Sequence, residues 1–246
     1  NLATLTAATG IGSGDDIETN VIALIAQNTT SGDVRINEVS AGGNVILRDV
    51  AQGGGTAINP SHIVVTTERG TIGVTSTSGI GVRLTSAGNT NGTVLLDANV
   101  TVPATDELTR GDVVVNQVVT SQGGAITINA DHDVTGSATG DITSNGGAIF
   151  ITADANGGGP GGNNDGTIQL SGDIAAGTGT VTFSLRDCDG WIGVAVPTGD
   201  GEIISASDVI KNGLGALRLN GAANTYTGTT NVNAGTLLIN GSLTAD

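Results

Sequence analysis

Aromatic residues are almost missing: two Phe, one Tyr and one Trp in 246 residues. Antiparallel sandwiches anchor their facing layers on such rings, so this scarcity argues against that architecture. Cysteine occurs once, at Cys188. A lone cysteine excludes an intramolecular disulfide and a cysteine-rich zinc site; it reads as an inert buried thiol, with a bridge between chains as the alternative. Methionine does not occur at all, as expected of a processed chain or an excerpt of a longer one. Positive charge is scarce: eight Lys and Arg face 23 Asp and Glu, a net charge of −15. Lys211 is the sole lysine. Such a surface repels phosphate backbones and anionic lipid, so neither nucleic acid nor a membrane surface is an expected partner. There is no run of about 18 apolar residues to span a bilayer as a helix. A basic stretch leading into an apolar one is also lacking, so no signal peptide is expected.

What the chain has instead is glycine, 41 residues of it, without the three-residue period of collagen. The mean hydropathy of +0.15 is too high for a disordered acidic linker. No window keeps an apolar stripe at helical spacing; the nearest, Ile203 to Lys211, is short and rich in serine and β-branched residues. Short period-two runs of Val, Ile, Thr and Leu, closed by Gly, Asn or Asp, occur throughout. They include Leu2–Ala7, Val34–Ile36, Ile63–Val65, Ala125–Ile128 and Thr180–Leu185. One internal repeat stands out: GGAITINAD at Gly123–Asp131 returns as GGAIFITAD at Gly146–Asp154, 23 residues on. A third run, Gly140–Thr143, lies between the copies. Two or three strands per repeat of that length make one coil of a parallel β-helix. The expected fold is therefore all-β, a β-solenoid of roughly 10–11 coils and about 50 Å, at about 4.8 Å per coil. Residues 51–61 and 155–166 read as loops, Pro197–Gly201 as a third irregular stretch, and residues 1–246 as one continuous β-helix segment.

Two stretches resemble known surface proteins. Residues 213–241 contain Asn224-Thr225-Tyr226-Thr227-Gly228 and then Asn233-Ala234-Gly235-Thr236-Leu237-Leu238-Ile239-Asn240-Gly241. This closely resembles the autotransporter-associated β-strand repeat of passenger domains. The N-terminal half, with LTAATGIGSGDDIET and VIALIAQNTTSGDVRINE, is similar in composition to filamentous-haemagglutinin-like adhesins. The resemblance implies a right-handed parallel β-helix on the bacterial outer cell surface, acting as a stalk, scaffold or adhesive rod rather than a catalyst. Its implied partners are a host-cell, surface or carbohydrate receptor and, end to end, a second rod. Head-to-tail stacking of open edges into an extracellular filament is the alternative.

A third class, a carbohydrate-active enzyme such as a polysaccharide lyase, requires carboxylates gathered on one face. The candidate groups are Asp131-His132-Asp133, then Arg186-Asp187 with Asp189 and Trp191, then Asp15, Asp16 and Glu18. Each reads equally as a solvated corner, and no catalytic, cofactor or metal residue is assigned. His62 reads as surface polar. Gly161–Gly166 is similar to a calcium-binding nonapeptide in a single copy, where real sites need tandem copies. Thr4-Leu5-Thr6, Thr75-Ser76-Thr77 and Thr180-Val181-Thr182 lack the constant spacing of an ice-binding array.

Overall fold

The computed structural model describes residues 1–39, 43–76, 79, 81–98, 111–155, 166–186, 188–193 and 201–243. Among the described residues the regular elements are 26 strands, paired in parallel. Parallel neighbours cannot be joined by a hairpin. Each strand therefore pairs with its counterpart one coil away, and the chain winds into a parallel β-helix. Among the described residues there is no helix; Ile203–Lys211 instead forms parts of two strands.

One face is a nine-stranded sheet, one strand per coil. Its strands are β2 (Ile17–Thr19), β4 (Val34–Glu38), β6 (Ile63–Thr67), β9 (Val94–Ala98) and β12 (Ile126–Ala130). It continues through β15 (Ile149–Ala153), β18 (Val181–Leu185), β21 (Val209–Asn212) and β24 (Thr230–Val232). The 23-residue repeat is the pairing of β12 on β15, where Ile126 faces Ile149 and Ile128 faces Ile151.

The opposite side changes form along the rod. β1 (Leu2–Ala7), β3 (Ala23–Asn28) and β5 (Val45–Gln52) make one broad face. Leu24 faces Leu47 but Ile25 faces Asp49, so Arg48 is an extra residue on β5, and such a bulge bends a strand. One coil later the bend has become a corner. Val45–Leu47 pairs with β7 (Ile72–Val74), and Val50–Gln52 pairs with β8 (Val82–Leu84). From there the section has three faces.

The β7 line continues as β10 (Val113–Val115), β13 (Val134–Gly136), β16 (Ile168–Leu170), β19 (Gly190–Ile192), β22 (Ala216–Leu219) and β25 (Thr236–Ile239). The β8 line continues as β11 (Val119–Thr120), β14 (Ile142–Thr143), β17 (Ile174–Ala175) and β20 (Ile203–Ser205). β23 (Ala223–Asn224) and β26 (Ser242–Leu243) pair beyond it. The described residues thus make ten coils, the last incomplete, at the low end of the expected range. Coils differ in length: 21 residues separate Val113 from its partner Val134, whereas 41 separate Ile72 from Val113.

Alternation sends every second side chain inward, and identical positions stack. One column runs Ile36, Val65, Leu96, Ile128, Ile151, Phe183, each fully buried. The bore is narrow enough that aliphatic groups fill it, with Phe183 as its largest side chain. At the corner before this sheet, coils approach so closely that only glycine fits. A Cβ on Gly124 would lie 2.1 Å from the Gly92 carbonyl oxygen, one on Gly147 2.3 Å from that of Gly124, and one on Gly179 2.1 Å from that of Gly147. Of the expected loops, 51–61 begins two residues later than read, because β5 extends to Gln52. Most of 155–166 and 197–201 lies outside the described residues.

Two substitutions test this packing in the intact chain. Ile128→Ala leaves a hole in a fully buried column and should cost about 3 kcal/mol. Gly147→Ala adds a single methyl at an exclusion point and should cost about 1–3 kcal/mol. Both are read as shifts of the denaturant midpoint, and an unshifted midpoint for Gly147→Ala would refute the close approach of coils at that corner.

Candidate functional site

Where the chain enters a strand, one backbone N–H of the corner finds its acceptor in a side chain of the preceding coil and not in a main-chain carbonyl. Side chains supply it in a repeating way. At the corner before the β7 line, Asn44 Oδ1 accepts from Thr71 N (2.8 Å), Asp112 Oδ1 from Asp133 N (3.1 Å), and Asp133 Oδ1 from Thr167 N (2.6 Å). Asp189 Oδ1 accepts from Ala216 N at 3.0 Å. At the corner before the β8 line, Asp141 Oδ1 accepts from Asp173 N (3.0 Å), Asp173 Oδ1 from Glu202 N (3.1 Å), and Glu202 Oε1 from Ala223 N (2.9 Å). At the third corner, Asp33 Oδ1 accepts from His62 N (2.9 Å), His62 Nδ1 from Thr93 N (3.1 Å), and Asp208 Oδ1 from Thr229 N (2.8 Å). In each pair the donor lies one coil further along. Among the described residues eight acidic side chains act this way, so part of the negative charge belongs to the corner architecture.

His62, read as surface polar, is accordingly a half-buried rung of the third corner, with Nδ1 also 2.9 Å from Thr93 Oγ1. Of the Asp131-His132-Asp133 group, the structure gathers His132 and Asp133 and adds Asp112 from the preceding coil. His132 Nδ1 lies 2.8 Å from Asp112 Oδ1 and 3.5 Å from Asp133 Oδ2. One ligand atom from each of the three lies within 4.8 Å of the others. The sequence signal for Asp112 is its position: it precedes β10 as Asp133 precedes β13.

The second group is dispersed. Trp191 is half-buried on β19, between Gln169 and Arg218 of the adjoining coils. Asp189 is 3.5 Å from Arg218 Nη1, Arg186 is exposed, and Asp187 lies outside the described residues. In the third group, Asp16 pairs with Arg35 Nε at 2.6 Å, while Asp15 and Glu18 are exposed. Residues 161–165 of the calcium-like stretch are outside the described residues. Thr4 and Thr182 stand on different sheets, so those two threonine runs share no array; Thr77 lies outside the described residues.

Lys211 is the residue whose role the sequence concealed. It takes the inward position above Phe183 and is fully buried. Its ammonium donates to the carbonyls of Asn212 (2.7 Å), Gly213 (2.8 Å) and Ala234 (3.4 Å), tying two coils together. Burial lowers its pKa, against the opposing pull of Cys188 and Asp189. Cys188 is buried, as expected. On the outer face of β9, burial raises the pKa of Asp97.

Asp208 gives the corner interaction a pH signature. Bonds from the Thr229 hydroxyl (2.7 Å) and N–H hold its pKa below the ordinary value. A carboxylate depressed in the folded state adds stability above the unfolded value of about 3.9, and this is lost as pH falls through the folded pKa. Thermal melts of wild type and Asp208→Asn across the acid range should therefore differ at neutral pH and converge below about pH 4. A difference that persists unchanged in acid would show that the carboxylate charge is not what stabilises this corner.

No described helix is long and apolar enough to cross a membrane. No curated protein and no solved structure matches the chain. A family model described as passenger-associated-transport-repeat matches residues 209–239, from the start of β21 to the end of β25. The matched segment begins four residues before the stretch whose residues resemble that repeat and ends two before its close. It contains Lys211 and the Asp208-bonded coil. Residues 209–239 are therefore an autotransporter passenger repeat, and the chain carrying them is a surface-protein segment built as a parallel β-solenoid.

Proposed function

We propose that this chain is a structural or adhesive rod segment of a secreted bacterial surface protein, held outside the cell as a stalk or scaffold, with no catalysis of its own. The observation that carries the reading is the use made of its polar groups. The carboxylates best placed for chemistry accept backbone N–H groups of the next coil, and a carboxylate bound in that way is a building element. Stability in such a rod accumulates coil by coil, so a long, stiff projection needs no thicker core. Its negative surface disfavours phosphate-rich partners and leaves a host-cell, surface or carbohydrate receptor as the partner class.

Two measurements test this. Electron microscopy of the purified chain should show dispersed single rods about 50 Å long, the length of ten coils at about 4.8 Å each; long fibres would instead support head-to-tail assembly. Incubation with acidic polysaccharides should release no new reducing ends, and their release would overturn the non-catalytic reading in favour of a lyase or hydrolase.

A further inference from the structure

We propose that Asp112, His132 and Asp133 form a binding site for a divalent transition-metal ion of the Zn²⁺ class, clamping two successive coils. The donors converge from both: Asp112 immediately precedes β10, and His132 and Asp133 precede β13. Two ligand atoms bound about 2.0–2.1 Å from a tetrahedral zinc are about 3.3 Å apart. The separations of 2.8 and 3.5 Å from His132 Nδ1 to the two carboxylate oxygens bracket that value. All three groups are partly open to solvent, with side-chain exposures of 32 % for Asp112, 22 % for His132 and 26 % for Asp133, so an ion can enter and water can complete its coordination.

The donor set decides the class of metal. Calcium and magnesium take oxygen ligands, whereas one imidazole nitrogen with two carboxylate oxygens suits a first-row transition ion. A neutral imidazole and two carboxylates also balance a double positive charge. Outer contacts orient the ligands, as metal sites require. Asp133 Oδ1 is held by the N–H and hydroxyl of Thr167 (2.6 and 2.9 Å), which leaves Oδ2 turned toward His132. Asp112 Oδ1 accepts from Asp133 N at 3.1 Å, and Thr71 Oγ1 stands 3.5 Å from Oδ2. The Asp141, Asp173, Glu202 corner has the same coil-to-coil bonds without a histidine, and it serves as the internal comparison.

The test is calorimetric titration of the intact chain with ZnCl₂, with CaCl₂ in parallel. Wild type should bind one Zn²⁺ per chain, Ca²⁺ should not compete, and the thermal midpoint should rise with Zn²⁺ and fall back with EDTA. His132→Gln leaves the Asp112 and Asp133 backbone bonds in place and should weaken zinc binding at least about tenfold, while Asp173→Asn should bind as wild type. Should His132→Gln fail to fold, the wild-type chain still decides the matter by imidazole NMR, because it has just two histidines. Zinc should shift the His132 signals and leave those of His62 unmoved. Absence of zinc binding, undiminished binding by His132→Gln, equal loss in Asp173→Asn, or a response at His62 would each overturn the proposal.

Discussion

Parallel backbone pairing between one coil and the next is the constraint on which the rest of this molecule depends. A parallel strand must find its partner a full coil away in sequence, so every local choice repeats at that distance. Inward positions stack on inward positions, and each column needs side chains of similar bulk. Corners stack on corners, and each needs either no side chain at all, as at Gly124 and Gly147, or one able to accept an N–H from the adjoining coil. The composition follows from these demands. Aliphatic residues fill a thin bore, glycine permits coil-to-coil approach, and aspartate serves the corners.

The corner carboxylates connect charge to architecture. A net charge of −15 would ordinarily suggest a solvated surface selected for solubility or steering. Here Asp141, Asp173 and Glu202 lie one above another, each bonded to the next coil. Like charges in such a stack repel, and the backbone donors facing them offset part of that cost. The Asp112–Asp133 step differs in having an imidazole between its two carboxylates. The same corner motif therefore generates both a structural rung and a group of donors with metal-binding character, and a single histidine separates the two outcomes.

The section of the rod is also adjustable. A single extra residue, Arg48 on β5, bends a continuous strand, and in the next coil that bend has opened into a corner between β7 and β8. Coils of 21 and 41 residues coexist in one stack, and the strands on either side of the longer one keep their parallel pairing. Lys211 shows how the columns tolerate polarity. Its stem continues the apolar column above Phe183, while its ammonium reaches main-chain carbonyls at the edge of the bore, as long basic side chains do when buried lengthwise.

The sequence alone determined the fold class, because period-two apolar runs and the Gly123–Asp131 and Gly146–Asp154 copies are local patterns whose spacing reports the coil directly. It also determined the kinship of the C-terminal repeat, where the pattern of residues around Tyr226 and Gly235 is continuous in the chain. The tertiary structure decided what depends on lateral neighbours. Asp112 and His132 are 20 residues apart, His62 and Thr93 31 apart, and Lys211 and Ala234 23 apart; nothing along the chain pairs them. Long excursions make the coil length irregular, so no fixed offset in the sequence predicts which corner residue faces which. Only the winding of the backbone, set by hydrogen bonds between coils, brings those side chains together.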